Sequence, residues 1–198
     1  MTQEILANPV ALFEKATKHV SRVVAGVQQE QLDHPTPCSE WNVQELLNHL
    51  IGGAEMVVGC FSGQSPDIAP GSSDSSYSTE TQASGLAQAY QAVVSQALQA
   101  AREPGALERN IETPIGEMPC AVFLSISSMD QFIHGWDLAK ATGQDTALDP
   151  ELAQVCYGMC VPDMADQGRE AGVIGPVVAV PDDASTQDKL LGYMGRQP

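Results

Sequence analysis

The stretch Asp130-Gln131-Phe132-Ile133-His134 decides how the rest of the chain is interpreted. It places a carboxylate and an imidazole four residues apart, and side chains with this spacing share one face of an α-helix. That face is otherwise apolar, and a carboxylate there is costly unless it is paired, hydrogen-bonded or bound to a metal ion. The spacing alone therefore fits either a hydrogen-bonded pair within one helix or two ligands of a metal ion.

A second histidine, His49, lies on an earlier predicted helix, at the edge of its apolar stripe. If the two helices pack together, His49, Asp130 and His134 can reach one point. Two ring nitrogens and one carboxylate oxygen, with a coordination position left open, are what a catalytic divalent-metal site needs. Taken alone, His49 is more typical of a hydrogen-bonded core histidine, and the three residues together also fit a buried polar cluster without metal.

Apolar residues at helical spacing predict four long amphipathic helices, at residues 10–27, 39–60, 81–102 and 119–142, with Ser39 as the N-cap of the second. Helical bundles build metal sites in their cores from side chains on facing helices. The sequence therefore predicts an all-α fold, a four-helix bundle whose second and fourth helices carry the candidate ligands.

The remaining segments predict connections and a C-terminal extension. Residues 62–79 are rich in Ser, Gly, Asp and Pro, which indicates a long surface connection between helices 2 and 3. Residues 111–117 predict a loop with a short extended piece. The C-terminal part predicts a fifth helix, a short β-prone segment and a last helix, at residues 150–167, 173–180 and 185–194. We expect one domain, in which residues 1–143 form the metal-binding bundle and residues 144–198 pack on it.

The composition excludes several classes of function. The net charge is −16 with only nine Lys and Arg residues, scattered along the chain, so we expect no nucleic-acid partner and no anionic membrane surface. No apolar run is long enough to span a bilayer, and the N-terminus lacks the pattern of a signal peptide. Five cysteines without framework spacing favour a reducing compartment, so we expect a cytoplasmic protein.

Other residues near the predicted ligands have competing interpretations. Cys38 precedes the second helix and is interpreted as a small buried residue, and Trp41 is expected to pack at a helix junction. Asp137 lies one turn beyond His134 and has two equally good interpretations. It could orient a metal-binding histidine, or it could accept a hydrogen bond from an indole or backbone group. Gly53 either leaves room beside the metal or permits close helix packing.

Several blocks of the sequence resemble a known family. The blocks TPCSEWNV at residues 36–43 and LLNHL at residues 46–50 resemble the signature of the DinB-like superfamily, in the branch that contains mycothiol-dependent maleylpyruvate isomerase. The block HGWDLA at residues 134–139, followed by ATG at residues 141–143, resembles the second signature of that branch. The tail, residues 182–198, is similar to that of an actinobacterial subgroup described only as metal-binding.

The resemblance implies a four-helix bundle that holds a divalent metal with one histidine on the second helix and a carboxylate-x-x-x-His pair on the fourth. Carried over, the metal ligands are His49, Asp130 and His134. The isomerase pattern has Glu where this chain has Asp130, so the metal must lie nearer the fourth helix or the helices must pack closer. Two imidazoles and one carboxylate do not select sharply among metals, and zinc is expected first, with nickel or manganese as alternatives.

Relatives in the superfamily include isomerases and transferases that use low-molecular-weight thiols. The resemblance therefore implies a small-molecule substrate, a low-molecular-weight thiol, and a metal-activated thiol or water as nucleophile. The sequence assigns no catalytic base, which keeps open the alternative of a non-catalytic metal-binding or small-ligand-binding protein. An apolar face of the bundle could support a homodimer.

Overall fold

The structure is a computed structural model that describes residues 8–63, 72–113 and 116–198. The described chain divides into two compact units, residues 8–146 and residues 147–198. The first unit contains four long helices, namely α1 (Pro9–Ala25), α2 (Val43–Ser62), α3 (Ala83–Ala101) and α4 (Cys120–Ala141). Helix α1 packs on α3 and α4, and α2 also packs on α3 and α4, which confirms the predicted four-helix bundle.

The core of the bundle consists of the apolar stripes that the helical spacing predicted. Helices α1, α2 and α3 and the end of α4 contribute to one large buried cluster. Its fully buried members with the largest side chains are Leu46, Leu47, Leu50, Ile51, Leu86, Tyr90 and Leu138. Burial of side chains of this size contributes about 1.5–3 kcal/mol each before conformational entropy is subtracted. This core fixes the two helices that carry the predicted ligands.

Helix α2 begins four residues later than the sequence analysis predicted, at Val43, and Ser39 is not its N-cap. Asn42 is the N-cap, and its side chain accepts a hydrogen bond from the Glu45 N–H at 2.9 Å, while the Glu45 carboxylate accepts one from the Asn42 N–H at 2.8 Å. This reciprocal pair satisfies two backbone donors that a helix N-terminus leaves open. As a result Trp41 lies in the turn before α2 rather than in its first turn.

The segment before α4 contains two short paired strands, where the sequence predicted a loop with a short extended piece. Strand β1 (Asn110–Thr113) pairs antiparallel with β2 (Gly116–Pro119), with Asn110 opposite Pro119. Helix α4 follows directly after β2. Among the described residues, no helix is both long and apolar enough to cross a membrane.

The second unit contains three short helices, α5 (Pro150–Cys160), α6 (Asp163–Glu170) and α7 (Thr186–Tyr193). The predicted fifth helix is interrupted because Pro162 disfavours the helical conformation at Val161, which is extended (φ −103°, ψ 127°). The predicted β-prone segment at residues 173–180 forms no strand. Helices α5 and α7 pack together. The packing of residues 144–198 on the bundle stays a prediction.

Candidate metal centre

Helices α2 and α4 bring His49, Asp130 and His134 together, as the sequence predicted. The His49 Nε2 atom lies 3.3 Å from Asp130 Oδ2, and the His134 Nε2 atom lies 3.5 Å from Asp130 Oδ1. The nearest ligand-type atoms of the three side chains all lie within 4.8 Å of one another. Both imidazoles therefore direct the same type of nitrogen at one carboxylate.

The orientation of the His49 ring is fixed from its other nitrogen. The Nδ1 atom lies 2.7 Å from the main-chain carbonyl oxygen of Ser72, and since a carbonyl only accepts, Nδ1 carries the proton. In the neutral ring the Nε2 atom then has the lone pair. It is buried and makes no standard hydrogen bond among the described residues, although the Asp130 carboxylate lies 3.3 Å away. A carboxylate has no proton to donate to this lone pair, so the pair is satisfied either by protonation of the ring or by a metal ion.

The His134 ring is held in the same way by a side chain. Its Nδ1 atom donates to Asp137 Oδ2 at 3.0 Å, which leaves the Nε2 lone pair facing Asp130. Asp137 is completely buried. The Cys38 thiol donates to the same Asp137 oxygen at 3.3 Å, so two donors support this buried carboxylate. A second hydrogen-bond partner that fixes the tautomer of a metal-binding histidine is a common feature of metal sites.

Burial and neighbouring charge act in opposite directions on His49. Burial lowers the pKa of its imidazole, while the charge of the Asp130 carboxylate, a hydrogen bond from the protonated ring to that carboxylate and the hydrogen bond to the Ser72 carbonyl raise it, and the raising contributions prevail. The net effect is a pKa above the ordinary value for histidine. The cause is that the protonated ring gains a nearby negative charge. The pocket is therefore built to hold positive charge next to Asp130.

The indole of Trp41 lies against both imidazoles. Its ring centroid is 4.5 Å from that of His49, with the planes tilted by 32°, and 5.6 Å from that of His134. The two imidazoles themselves meet edge-to-face at 4.6 Å. The sequence analysis expected Trp41 to pack at a helix junction, and the structure adds that it covers the predicted ligands. The tryptophan emission, to which Trp136 also contributes, therefore includes a fluorophore in contact with this site.

The end of the α2–α3 connection packs closely on α2 beside His49. The Ser76 N–H donates to a Glu55 carboxylate oxygen at 3.0 Å, and the Ser75 hydroxyl contacts the Asn48 side chain at 3.4 Å. Gly52 permits this approach, because a Cβ atom at position 52 would lie 2.2 Å from the carbonyl oxygen of Asp74. These contacts position the Ser72 carbonyl beside His49. The predicted surface connection thus contributes directly to the site, although residues 64–71 lie outside the described part of the chain.

A buried hydrogen-bonded chain fixes α4 next to Asp130. The Gln131 amide donates to the Leu50 carbonyl at 2.8 Å and accepts from the Tyr90 hydroxyl at 2.7 Å. It therefore joins α4 to both α2 and α3. A Cβ atom at Gly53 would lie 3.1 Å from Gln131 Nε2 and 3.8 Å from Asp130 Oδ2, so this glycine leaves space beside both side chains. The sequence analysis did not identify Gln131, Ser72 or Tyr90 as parts of the site.

The arrangement fits a divalent metal ion. Ligand distances of about 2.0–2.2 Å to histidine and carboxylate imply separations of about 3.3 Å between neighbouring ligand atoms of a tetrahedral site. Each imidazole nitrogen has one Asp130 oxygen near this separation, Oδ2 at 3.3 Å from His49 and Oδ1 at 3.5 Å from His134, so a single ion bound through one of these oxygens requires a small rotation of the carboxylate. Three protein ligands would leave room for a further one. His34, which lies in the loop before α2, is exposed and does not belong to this group.

Comparison with known proteins places these features in a family. The family model of the mycothiol maleylpyruvate isomerase N-terminal domain matches residues 13–139. The uncharacterized proteins MT0763 and Rv0738 of Mycobacterium tuberculosis are each 33% identical over 193 residues, which cover 96% of this chain and 98% of theirs.

Two crystal structures have a similar fold. One is that of mycothiol-dependent maleylpyruvate isomerase, and the other is a variant of it in which a histidine is replaced by alanine. They are 17% and 16% identical to this chain, each with a TM-score of 0.67, and each match covers 91% of this chain and 78% of theirs. At this identity the likeness supports the fold alone. The match of the family model over most of the bundle shows that the chain belongs to the mycothiol maleylpyruvate isomerase N-terminal-domain family.

Proposed function

We propose that this protein binds one divalent metal ion through His49, Asp130 and His134 and uses a low-molecular-weight thiol to isomerise a small substrate or to transfer a group to it. The observation that carries the proposal is the pair of Nε2 atoms that converge on Asp130, each on a ring held by a hydrogen bond at the opposite nitrogen. Membership in a family named after a mycothiol-dependent isomerase supplies the thiol and the reaction class.

The residues around the site each have a defined task in this proposal. The Ser72 carbonyl and the Asp137 carboxylate keep the two imidazoles in the tautomer that can bind metal. Asp130 supplies the negative charge, and its half-buried position leaves it accessible to a ligand from solvent. A bound divalent ion would lower the pKa of a thiol or water and so make a nucleophile available near neutral pH. Zinc is proposed first, with nickel or manganese as alternatives.

Metal analysis of the purified, untagged protein is the test of the ligand set. We expect about one equivalent of zinc or nickel in the wild type and in His34→Ala, because His34 is exposed and lies outside the site. His49→Ala and Asp130→Ala are expected to lose the metal, because each removes one of three ligands. Full occupancy in Asp130→Ala would show that Asp130 is not a ligand.

An activity assay separates an enzyme from a non-catalytic metal-binding protein. The metal-loaded protein is incubated with mycothiol and maleylpyruvate, the thiol and substrate named for the family, and then with other small electrophiles. Thiol-dependent turnover that disappears in His49→Ala supports the enzyme. Stoichiometric metal binding without turnover of any electrophile would instead favour a metal-binding or small-ligand-binding role.

A further inference from the structure

A second group of ligand-type atoms lies at the other edge of the His134 ring. The His134 Nδ1 atom is 3.0 Å from Asp137 Oδ2, the Cys38 Sγ atom is 3.3 Å from the same oxygen, and Cys38 Sγ is 3.6 Å from His134 Nδ1. These three atoms come from the turn before α2 and from one face of α4. His134 is therefore shared between two groups of potential ligands, one at each ring nitrogen.

The spacing of this second group suits a metal ion that prefers sulfur. Zinc bond lengths of about 2.3 Å to thiolate and about 2.0–2.2 Å to nitrogen and oxygen imply separations of about 3.3–3.6 Å between ligands of a tetrahedral ion. Two of the three observed distances, 3.3 and 3.6 Å, lie in this range, and the third, 3.0 Å between His134 Nδ1 and Asp137 Oδ2, must lengthen when an ion replaces the shared proton. Asp137 is completely buried, so its charge is available to a cation without competition from bulk water.

Cys38 differs from the other cysteines in its accessibility. It is half-buried, whereas Cys60, Cys120, Cys156 and Cys160 are buried. Burial also raises the pKa of the Cys60 thiol to about 11 and that of Cys156 to about 12, which disfavours their thiolates. An ion that enters from solvent therefore meets one sulfur with an imidazole nitrogen and a carboxylate beside it.

We propose that Cys38, His134 and Asp137 form a second site, which binds a thiophilic cation such as Cd²⁺ or Cu⁺. Thiolate ligands select such soft ions over the harder divalent metals. On binding, the ion replaces the Cys38 thiol proton, which is released to solvent. The His134 Nδ1 proton is also lost to solvent while Nε2 takes up a proton, so the ring stays neutral and the net release is one proton.

The shared histidine makes the two sites mutually exclusive. A neutral imidazole offers one lone pair, so an ion at Nδ1 leaves an N–H at Nε2, which no longer serves the first site. A thiophilic ion would thereby withdraw His134 from His49 and Asp130. This exclusivity rests on the proposed function, whereas binding at Cys38 does not.

Cadmium titration of the metal-free protein tests the second site. We expect an ultraviolet thiolate-to-cadmium charge-transfer band that grows to one equivalent in the wild type and in Cys156→Ser, whose sulfur is buried in the second unit. Cys38→Ser, which keeps a hydroxyl donor for Asp137, is expected to lose the band. A wild type without the band, or a Cys38→Ser variant that keeps it, would overturn the proposal.

Two further measurements separate this site from the first one. Asp130→Ala removes a ligand of the first site and is expected to keep the cadmium band at full intensity. Loss of the band in this variant would show that Cd²⁺ binding needs Asp130 and would overturn the separate site. Equilibrium dialysis against excess cadmium is expected to give one bound ion per wild-type chain, because His134 serves one site at a time. Two bound ions would contradict exclusivity. Loss of zinc binding when Asp130→Ala is added to Cys38→Ser, in which the sulfur of the second site is absent, reports separately on the proposed function.

Discussion

Substitution of Gly52 by alanine is predicted to weaken metal binding without touching a ligand. The new Cβ atom would lie 2.2 Å from the Asp74 carbonyl oxygen, so the connection must withdraw by about 1 Å to reach ordinary contact. If Ser72 moves with it, the distance from its carbonyl to His49 Nδ1 grows from 2.7 Å to about 3.7 Å, which is beyond hydrogen-bonding range. Loss of such a supporting bond typically lowers metal affinity about 10- to 100-fold.

Stability changes less than affinity in the same variant. Overpacking at position 52 destabilises the protein by about 1–3 kcal/mol, and replacement of a helical glycine by alanine stabilises it by about 1 kcal/mol. The free energy of unfolding should therefore fall by about 0–2 kcal/mol. The fold therefore persists and the affinity can be measured by zinc titration, with tryptophan fluorescence in a Trp136→Phe background as the signal, so that Trp41 is the sole tryptophan. Long-range nitrogen NMR spectra show whether Nδ1 of His49 still carries the proton.

Gly158→Ala is the matched control. This glycine lies within helix α5 and a Cβ atom there would meet no atom within 4 Å, so we expect unchanged zinc affinity and slightly higher stability. If Gly52→Ala binds zinc as tightly as the wild type while remaining folded, the Ser72 carbonyl does not fix His49, and the proposed role of the connection is refuted.

Three other perturbations test separate parts of the structure. Asp137→Asn is expected to weaken zinc binding about 10- to 100-fold, measured by competition with a chelator, because the neutral amide oxygen is a weaker acceptor for His134 Nδ1 than the carboxylate that it replaces; unchanged affinity would contradict this role. Tyr90→Phe is expected to lower the free energy of unfolding in urea by about 1–3 kcal/mol, because the buried Gln131 acceptor loses its donor, and a smaller loss would indicate a substitute. Stability is expected to fall as pH rises from about 9 to about 11–12, because thiols in the unfolded chain ionise from about 8.5 whereas burial keeps the pKa of Cys60 at about 11 and that of Cys156 at about 12. The buried Tyr90 hydroxyl, whose pKa burial also raises, contributes to the decline in the same range, so the thiols are tested by comparing melting temperatures with those of Cys156→Ala, which should flatten the decline; an unchanged decline would show that Cys156 is not a buried thiol.

The helices were predictable because their apolar residues recur at helical spacing, and this spacing survives in the buried stripes of α1, α2 and α3. Their ends were less predictable. Ser39 has a suitable side chain for an N-cap, but Asn42 also has Glu45 three residues later, and the reciprocal pair determines where α2 starts. The break near Pro162 is indicated by the proline itself, although the predicted fifth helix, residues 150–167, continues past it.

The candidate ligands were predictable because the four-residue spacing of Asp130 and His134 is a local feature. The hydrogen-bond partners that hold these ligands in place were less predictable from the sequence. The hydrogen-bond partner of His49 is the main-chain carbonyl of Ser72. Because every residue type has a carbonyl, the sequence around Ser72 does not predict this contact. Cys38 was interpreted as a buried residue, yet its thiol reaches Asp137, 99 positions away. Such a contact depends on how the helices pack, and no local pattern encodes it.

The Ser72–His49 hydrogen bond has a consequence for mutational scanning. A scan that exchanges only side chains would test position 72 through its hydroxyl, which accepts from the Asp74 N–H at 2.9 Å and donates to the Asp74 carboxylate at 2.8 Å, because any replacement still supplies the carbonyl. Position 52 would appear intolerant, although its residue contributes no functional atom, since glycine there is what admits the Asp74 backbone. The main chain at residues 72–74 can follow this path only if residue 52, which lies 20 positions before Ser72, is glycine.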